Sequence, residues 1–334
     1  MHMADALIVP AVAGTMYAAS AIAAGVSIKK VREENDPKKI PVMGVMGAFV
    51  FATQMINFTI PGTGSSGHLC GGMMLSALLG PYAGFLTMIG VLLVQCLFFA
   101  DGGLLALGCN VWNMAFYGCF IGALLIWRPL MKKGATKGKI VLASILGCVL
   151  TLQLGAFSVT LETLASGITE LPFHVFLLTM QPIHLAIGLV EGLITAAVLS
   201  FVHQARPELL WGVGEEAGEG SFSFQKTLGI LAVLAAAIGG ILSLFASAYP
   251  DGLEWSMEKV AGTAELEATG GVYDVFAGIQ NATSFLPDYA FKGSDSAVGT
   301  SVSGIVGGLI VLGICILLAN LLKFFRNNKG EIVE

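Results

Sequence analysis

PYAGFLTMIGVLLVQCLFFA, residues 81–100, runs for its whole length without a charged side chain. About 20 apolar residues in a helix are what it takes to cross the hydrocarbon core of a bilayer. The stretch therefore reads as a transmembrane helix. Runs of the same kind recur along the chain, near 4–28, 40–58, 68–80, 104–127, 139–165, 174–203, 227–249 and 299–322. Of the 334 residues 55% are hydrophobic and 12% charged, where a soluble domain carries about 25% charged residues. Mean hydropathy is +0.82. The expected fold class is all-α: a polytopic helical membrane protein of about nine transmembrane segments. The segment at 68–80 is short for a full crossing and ends at Gly80-Pro81, which can turn or kink the chain.

Charge placement orients these segments better than the net charge of -5 does. Lys29, Lys30, Arg32, Lys38 and Lys39 fill the first connection, and Arg128, Lys132, Lys133, Lys137 and Lys139 fill another. Arg206 and Lys226 flank a polar stretch, and Lys323, Arg326 and Lys329 lie in the tail. Residues 250–298 hold only Lys259 and Lys292 against eight acidic residues. Positive charge collects on the cytoplasmic side of a membrane. The rule puts the basic connections and the C-terminus in the cytoplasm, and the 250–298 loop outside. Counting segments back from the first basic loop puts Met1 and His2 outside as well.

The stretch HQARPELLWGVGEEAGEGSFSFQK, 203–226, is polar and carries four glutamates. It divides the chain into a seven-segment membrane domain over 1–204, a cytoplasmic linker over 205–226, and a two-segment unit over 227–326 that bears the 250–298 loop. No internal repeat of fixed period is evident.

The chain opens MHMADALIVP, with no basic residue ahead of the apolar run, unlike a signal peptide. His2 beside a free amino terminus has a specific chemistry. The terminal amine and the residue-2 amide nitrogen close a five-membered chelate ring on a metal, and the amide and imidazole close a six-membered one. The amide must lose a proton, which takes a strongly polarising cation, and nickel(II) and copper(II) favour such tetragonal nitrogen sites. The amine must be neutral, and its ordinary pKa of about 7.7–8.0 puts that within reach of a bound metal. The plainer alternative is a polar residue at a frayed chain end. A planar site needs a fourth ligand. IPGTGSSGHLCGG, 60–72, offers His68 at the end of a glycine-rich stretch on the same expected face, where glycines permit tight turns and close approach. A lone histidine there also fits a helix cap or a surface residue.

MHMADALIVP, SSGHLCGGMMLSALLGPYAGF (65–85), QCLFFADGGLLALGCNVWNMAFYG (95–118) and HLAIGLVEGLIT (184–195) together resemble the substrate-capture subunit, or M component, of nickel/cobalt energy-coupling factor transporters. The later SAYPDGLEWSMEKV, 247–260, resembles the small companion subunit, or N component, which has two transmembrane segments around an extracytoplasmic loop. The chain thus looks like a fusion of the two. The family usually opens Pro-Asp-Gly after its third residue, where this chain has Ala4-Asp5-Ala6. The resemblance implies metal ligation by the Met1 amine, the His2 amide and imidazole, and His68. Ser65, Ser66, Asp101 and Asn110 are candidates for hydrogen bonds that fix imidazole orientation, with loop solvation and helix capping as the alternatives for each. It also implies a transmembrane coupling subunit, two cytoplasmic ATP-binding subunits, residence in the inner (cytoplasmic) membrane of a prokaryote, and nickel(II) or cobalt(II) as transported substrate rather than a resident cofactor.

The remaining polar residues have quieter readings. His184 and Glu191, seven apart, lie on roughly one helix face, and Glu191 is expected to bond a neighbouring helix or to contact the coupling subunit. His174 suits an interfacial position and His203 a solvated helix end. Six cysteines without a C-x-x-C pair read as small buried hydrophobes. H-E-x-x-H is absent, and GATKGKI (134–140) lacks the spacing and the Ser/Thr of a phosphate-binding loop. The chain is therefore expected to be a transporter component with no ATPase of its own. A metal-dependent membrane enzyme would need an open coordination position and a base, and a passive channel would need several weak sites along a pore. Nitrogen-rich planar coordination and the order of divalent affinities lean toward nickel, with cobalt as the alternative. The 250–298 loop is expected to assist loading or assembly without itself forming the tight site.

Overall fold

In a computed structural model the chain is a helical bundle; the residues described are 1–34, 36, 38–213, 220–294 and 296–330, with side chains to 318. Among the described residues ten helices of four or more residues follow in order, short 3-10 turns apart: α1 Pro10–Glu34, α2 Lys39–Gln54, α3 Gly72–Phe99, α4 Leu107–Met131, α5 Lys137–Ala165, α6 Phe173–Ala205, α7 Phe224–Gly240, α8 Gly252–Ala261, α9 Val272–Thr283 and α10 Ala297–Gly330. Six of them, α1, α3, α4, α5, α6 and α10, are long and apolar enough to cross a membrane, while α2 and α7 are shorter apolar helices. The chain is a multi-pass helical membrane protein.

Gly80 divides α3. Its φ of 79° and ψ of 170° lie outside the helical region, a conformation open to glycine and strained for other residues. Pro81 follows, and it cannot supply an amide hydrogen to continue the first limb. The chain folds back there: a Cβ placed on Gly84 would lie 3.0 Å from the Ser76 nitrogen, whereas residues eight apart in a straight helix are separated by about 12 Å. Counting the two limbs separately gives nine apolar segments among the described residues.

Outward faces of the long helices are apolar, as lipid contact demands. On α5, Leu142, Leu146, Leu150 and Leu154 recur every fourth residue and all are exposed. Inside, helices meet through small residues. Helices α7 and α10 approach closely in this way: a Cβ on Gly304 would fall 2.2 Å from the Gly239 carbonyl oxygen. Helix α2 packs against α3 and against both α7 and α10, and α10 also touches α3, so the two parts of the chain are in contact.

Several segment ends differ from the sequence reading. The second segment stops at Gln54 rather than 58, because Phe58–Ile60 (β1) pairs antiparallel with Ser65–Gly67 (β2) across the Pro61-Gly62-Thr63-Gly64 turn. This ribbon is the one departure from an all-α chain among the described residues. The first segment starts at Pro10, since residues 5–7 form a single 3-10 turn. The third begins at Gly72 rather than 68, and the eighth ends at Gly240 rather than 249. The 250–298 loop is itself built, carrying α8 and α9. Residues 214–219 of the polar linker lie outside the described residues, as do the side chains of Lys323, Arg326 and Lys329 in the tail.

Candidate metal centre

The start of the chain is folded into the bundle. Met1 is 4% exposed and Met3 fully buried. Met3 is pinned on both sides of its backbone: its N–H donates to Asn110 Oδ1 at 2.7 Å, and its carbonyl accepts from Gly103 N–H at 2.8 Å and Asn110 Nδ2 at 3.1 Å. Asp5 Oδ1 accepts from the Ala106 N–H at 2.9 Å. The Asn110 and Asp5 side chains thus replace the water that a frayed terminus would bind. Asn110, a candidate for orienting an imidazole, holds Met3 instead.

This anchoring brings Met1, His2 and His68 together. The Met1 nitrogen is 2.8 Å from His68 Nε2. Two nitrogens bound at right angles to one cation, with bonds of about 2.0 Å, stand ~2.8 Å apart. The pair is already spaced as neighbouring corners of a square. The rings of His2 and His68 stack with centroids 5.1 Å apart and planes 23° from parallel. His2 faces protein on both nitrogens: Nδ1 is 3.1 Å from Asp101 Oδ1 and Nε2 is 3.2 Å from Gln95 Oε1. Asp101 therefore touches the His2 ring, and Tyr289 donates its hydroxyl to the other Asp101 oxygen. Burial lowers the His2 pKa to about 4 despite Asp101, which favours the neutral imidazole a metal requires.

Ser65 and Ser66 serve another partner. Ser66 N–H donates to the Pro250 carbonyl at 2.8 Å and Ser66 Oγ to the Tyr249 carbonyl at 2.7 Å, while Ser65 Oγ donates to Ser66 O at 3.1 Å. They clasp the turn that opens α8, and their contacts are to backbone rather than to the imidazoles.

That turn supplies a residue the sequence reading missed. Asp251 Oδ2 is 2.6 Å from the Met1 nitrogen and 3.6 Å from His68 Nε2. Its other oxygen accepts from Leu253 N–H at 2.8 Å and Glu254 N–H at 2.9 Å, and the Glu254 carboxylate accepts from Asp251 N–H at 3.0 Å. This is a capping box, and its Asp-x-x-Glu signature at 251–254 was readable. Its neighbour across 250 residues was not. Burial opposes charge on the Met1 amine, yet the facing carboxylate keeps its pKa above 8.0. Burial likewise opposes charge on Asp251, but the ammonium holds its pKa well below the ordinary carboxylate range.

Glu191 on α6 fixes the loop behind His68, accepting from Cys70 N–H at 3.0 Å and Gly71 N–H at 2.8 Å. It bonds a loop backbone, not a helix. Leaving a buried N–H unpaired costs ~1–3 kcal/mol. Glu191→Ala is expected to lower Tm in detergent and to weaken metal binding at least ~10-fold by loosening His68. Glu191→Gln, which keeps one acceptor oxygen, should lose less. Unchanged Tm and affinity in the alanine variant would remove Glu191 from this role. His184 is buried, with Nδ1 2.7 Å from the Met180 carbonyl and Nε2 without a partner among the described residues. His174 is exposed at the start of α6, and His203 is half-buried at its end. All six cysteines are free and buried. Among the described residues no group of three His, Cys, Asp or Glu side chains is arranged to hold a metal; the donors gathered here include a main-chain nitrogen.

Residues 2–209 match the family described as cobalt uptake substrate-specific transmembrane region, CbiM. The chain belongs to the CbiM family. Residues 225–324 match the PDGLE domain, which carries the Pro250–Glu254 turn, so this CbiM-family chain is an M component fused to an N component. A putative fused nickel transport protein NikMN of Archaeoglobus fulgidus is 36% identical over 94% of this chain and 96% of its own length. The fused nickel transport protein NikMN of Rhodobacter capsulatus is 30% identical over 94% and 96%. The cobalt transport protein CbiM of Geobacter sulfurreducens is 30% identical over 78% of each chain. The crystal structure of a truncated transition metal transporter superposes with a TM-score of 0.53 at 31% identity, covering 60% of this chain and 98% of that one.

Proposed function

We propose that this CbiM-family chain captures nickel(II) outside the cytoplasm and is the substrate-specific component of an ATP-driven energy-coupling factor transporter. The observation that carries the reading is the 2.8 Å separation of the Met1 amine and His68 Nε2. The His2 amide and imidazole complete the donor set. In the position found, His2 Nδ1 is on Asp101, so loading requires that ring to exchange a carboxylate for the cation. The relatives named as nickel transport proteins share the fused architecture, and nickel(II) precedes cobalt(II) in affinity for nitrogen donors. Cobalt(II) is the second reading, favoured by the name of the Geobacter sulfurreducens relative. A metal enzyme would need a general base beside an open coordination position, and donors gathered at one end of the bundle do not make a pore.

In this reading residues 1–204 are the capture domain, 205–226 a cytoplasmic linker and 227–326 the companion unit. The chain lies in the inner membrane of a prokaryote with its N-terminus extracytoplasmic and its C-terminus cytoplasmic. A transmembrane coupling subunit and two cytoplasmic ATP-binding subunits supply the energy, since the chain has no ATPase of its own. Elemental analysis of protein purified from cells given equal nickel and cobalt tests the substrate. Nickel in excess, near one atom per chain, is expected. A cobalt excess would reverse the assignment, and neither metal above background would overturn the capture site.

A further inference from the structure

The Met1 nitrogen, His68 Nε2 and Asp251 Oδ2 form a triangle with sides of 2.8, 2.6 and 3.6 Å. Donors sharing one cation at right angles stand ~2.8 Å apart, and these three straddle that value. The two oxygens of Asp251 are divided in their duties. Oδ1 is consumed by the cap of α8, accepting from Leu253 and Glu254 N–H, while Oδ2 is aimed at the amine. The carboxylate is held in place by an interaction that does not use the oxygen facing the site. A small void beside this triangle is lined in part by Met1, His68, Cys70, His184, Asp251 and Gly252. His184 is 1% exposed and presents an Nε2 with no partner among the described residues, its Nδ1 being engaged by Met180 O. A buried polar atom with no partner is a place where a ligand or water is wanted.

We infer that Asp251, carried by the companion unit, is itself a ligand of the bound cation, giving the capture site an oxygen donor outside the plane of nitrogens. The inference rests on the capture reading above. With metal absent, Oδ2 accepts a hydrogen bond from the ammonium. When a divalent cation takes the place of the ammonium proton, the same oxygen is left facing positive charge at bonding range. The site is then built from both units of the chain, with Met1, His2 and His68 from one and Asp251 from the other, which departs from the expectation that the 250–298 loop assists loading without forming the tight site. A carboxylate from the companion adds a hard ligand to a nitrogen set and leaves the cation five-coordinate.

The test uses the full chain loaded with one equivalent of nickel(II) and read by X-ray absorption at the nickel edge. Wild type is expected to lack the pre-edge feature of square-planar nickel and to fit four nitrogens with one oxygen. Asp251→Asn is the informative variant: its Oδ1 retains the cap of α8, while an NH2 group, which cannot ligate, replaces the oxygen facing the site. It should regain the square-planar feature and bind nickel at least ~10-fold more weakly. Asp251→Ser, which also caps a helix but is too short to reach the amine, guards against misfolding and should behave alike. Square-planar nickel in wild type, or identical spectra in wild type and both variants, would overturn the ligand assignment while leaving the capture site standing. Wild type that binds no nickel would overturn both.

Discussion

Adding a single residue ahead of Met1 is expected to abolish tight nickel binding, while a tag after Glu334 leaves it intact. The extension turns the amine into an amide, so the five-membered ring can close only by ionising a second peptide nitrogen. It also removes the cation from Asp251 Oδ2, now 2.6 Å away. Breaking a buried charge pair from one side costs ~3–5 kcal/mol of stability, so the extended protein is also expected to melt at a lower temperature. Steric exclusion adds to this, because Met1 is 4% exposed and walled by His68, Asp251 and Gly155. A residue ahead of it is expected to press on the turn at 250–254, whose Asp251 lies 2.6 Å from the Met1 nitrogen. The comparison needs both proteins at equal membrane insertion. Equal nickel affinity in the two would show that the amine is not a ligand.

His68→Ala is expected to reduce nickel affinity by at least ~100-fold, the upper end of what loss of a supporting partner costs a metal site. Three donors from one short peptide would remain, with water at the fourth corner. The variant should still insert and fold: His68 Nδ1 bonds only the neighbouring Leu69 carbonyl, at 3.0 Å, and Glu191 still holds Cys70 and Gly71. Titration of nickel into purified protein reads the effect directly. Wild-type affinity in this variant would take His68 out of the site, and the 2.8 Å contact with the amine would become a packing accident.

The parts of this architecture written in contiguous residues were legible in the sequence. The long apolar runs, the turn at Gly80-Pro81 and the juxtaposition of an amine, an amide and an imidazole in Met1-His2 each need only a few neighbouring residues. His68 was visible because glycines surround it. Asp251, Gln95 and Tyr289 were not, because their roles depend on which loops meet, and hydropathy is silent about that. Ser65 and Ser66 show the same limit from the other side. They are candidates for orienting an imidazole, but the neighbour they bind is the Tyr249-Pro250 backbone. The ribbon was a missed local signal: Pro61-Gly62-Thr63-Gly64 separates two short runs by a hairpin-length turn.

The clasp between β2 and the turn at Tyr249-Pro250 has a consequence for concentration. Asp251 belongs to a segment tethered at both ends, by α7 and α10, to helices packed on α2. Its meeting with the amine is therefore an intramolecular event. A tether of this kind sets an effective concentration on the order of millimolar, independent of how many copies a membrane holds. A few backbone hydrogen bonds can then keep the carboxylate in place, and their rupture would release it only as far as the tether allows. A cell that makes very little of this protein would still have every copy fully equipped.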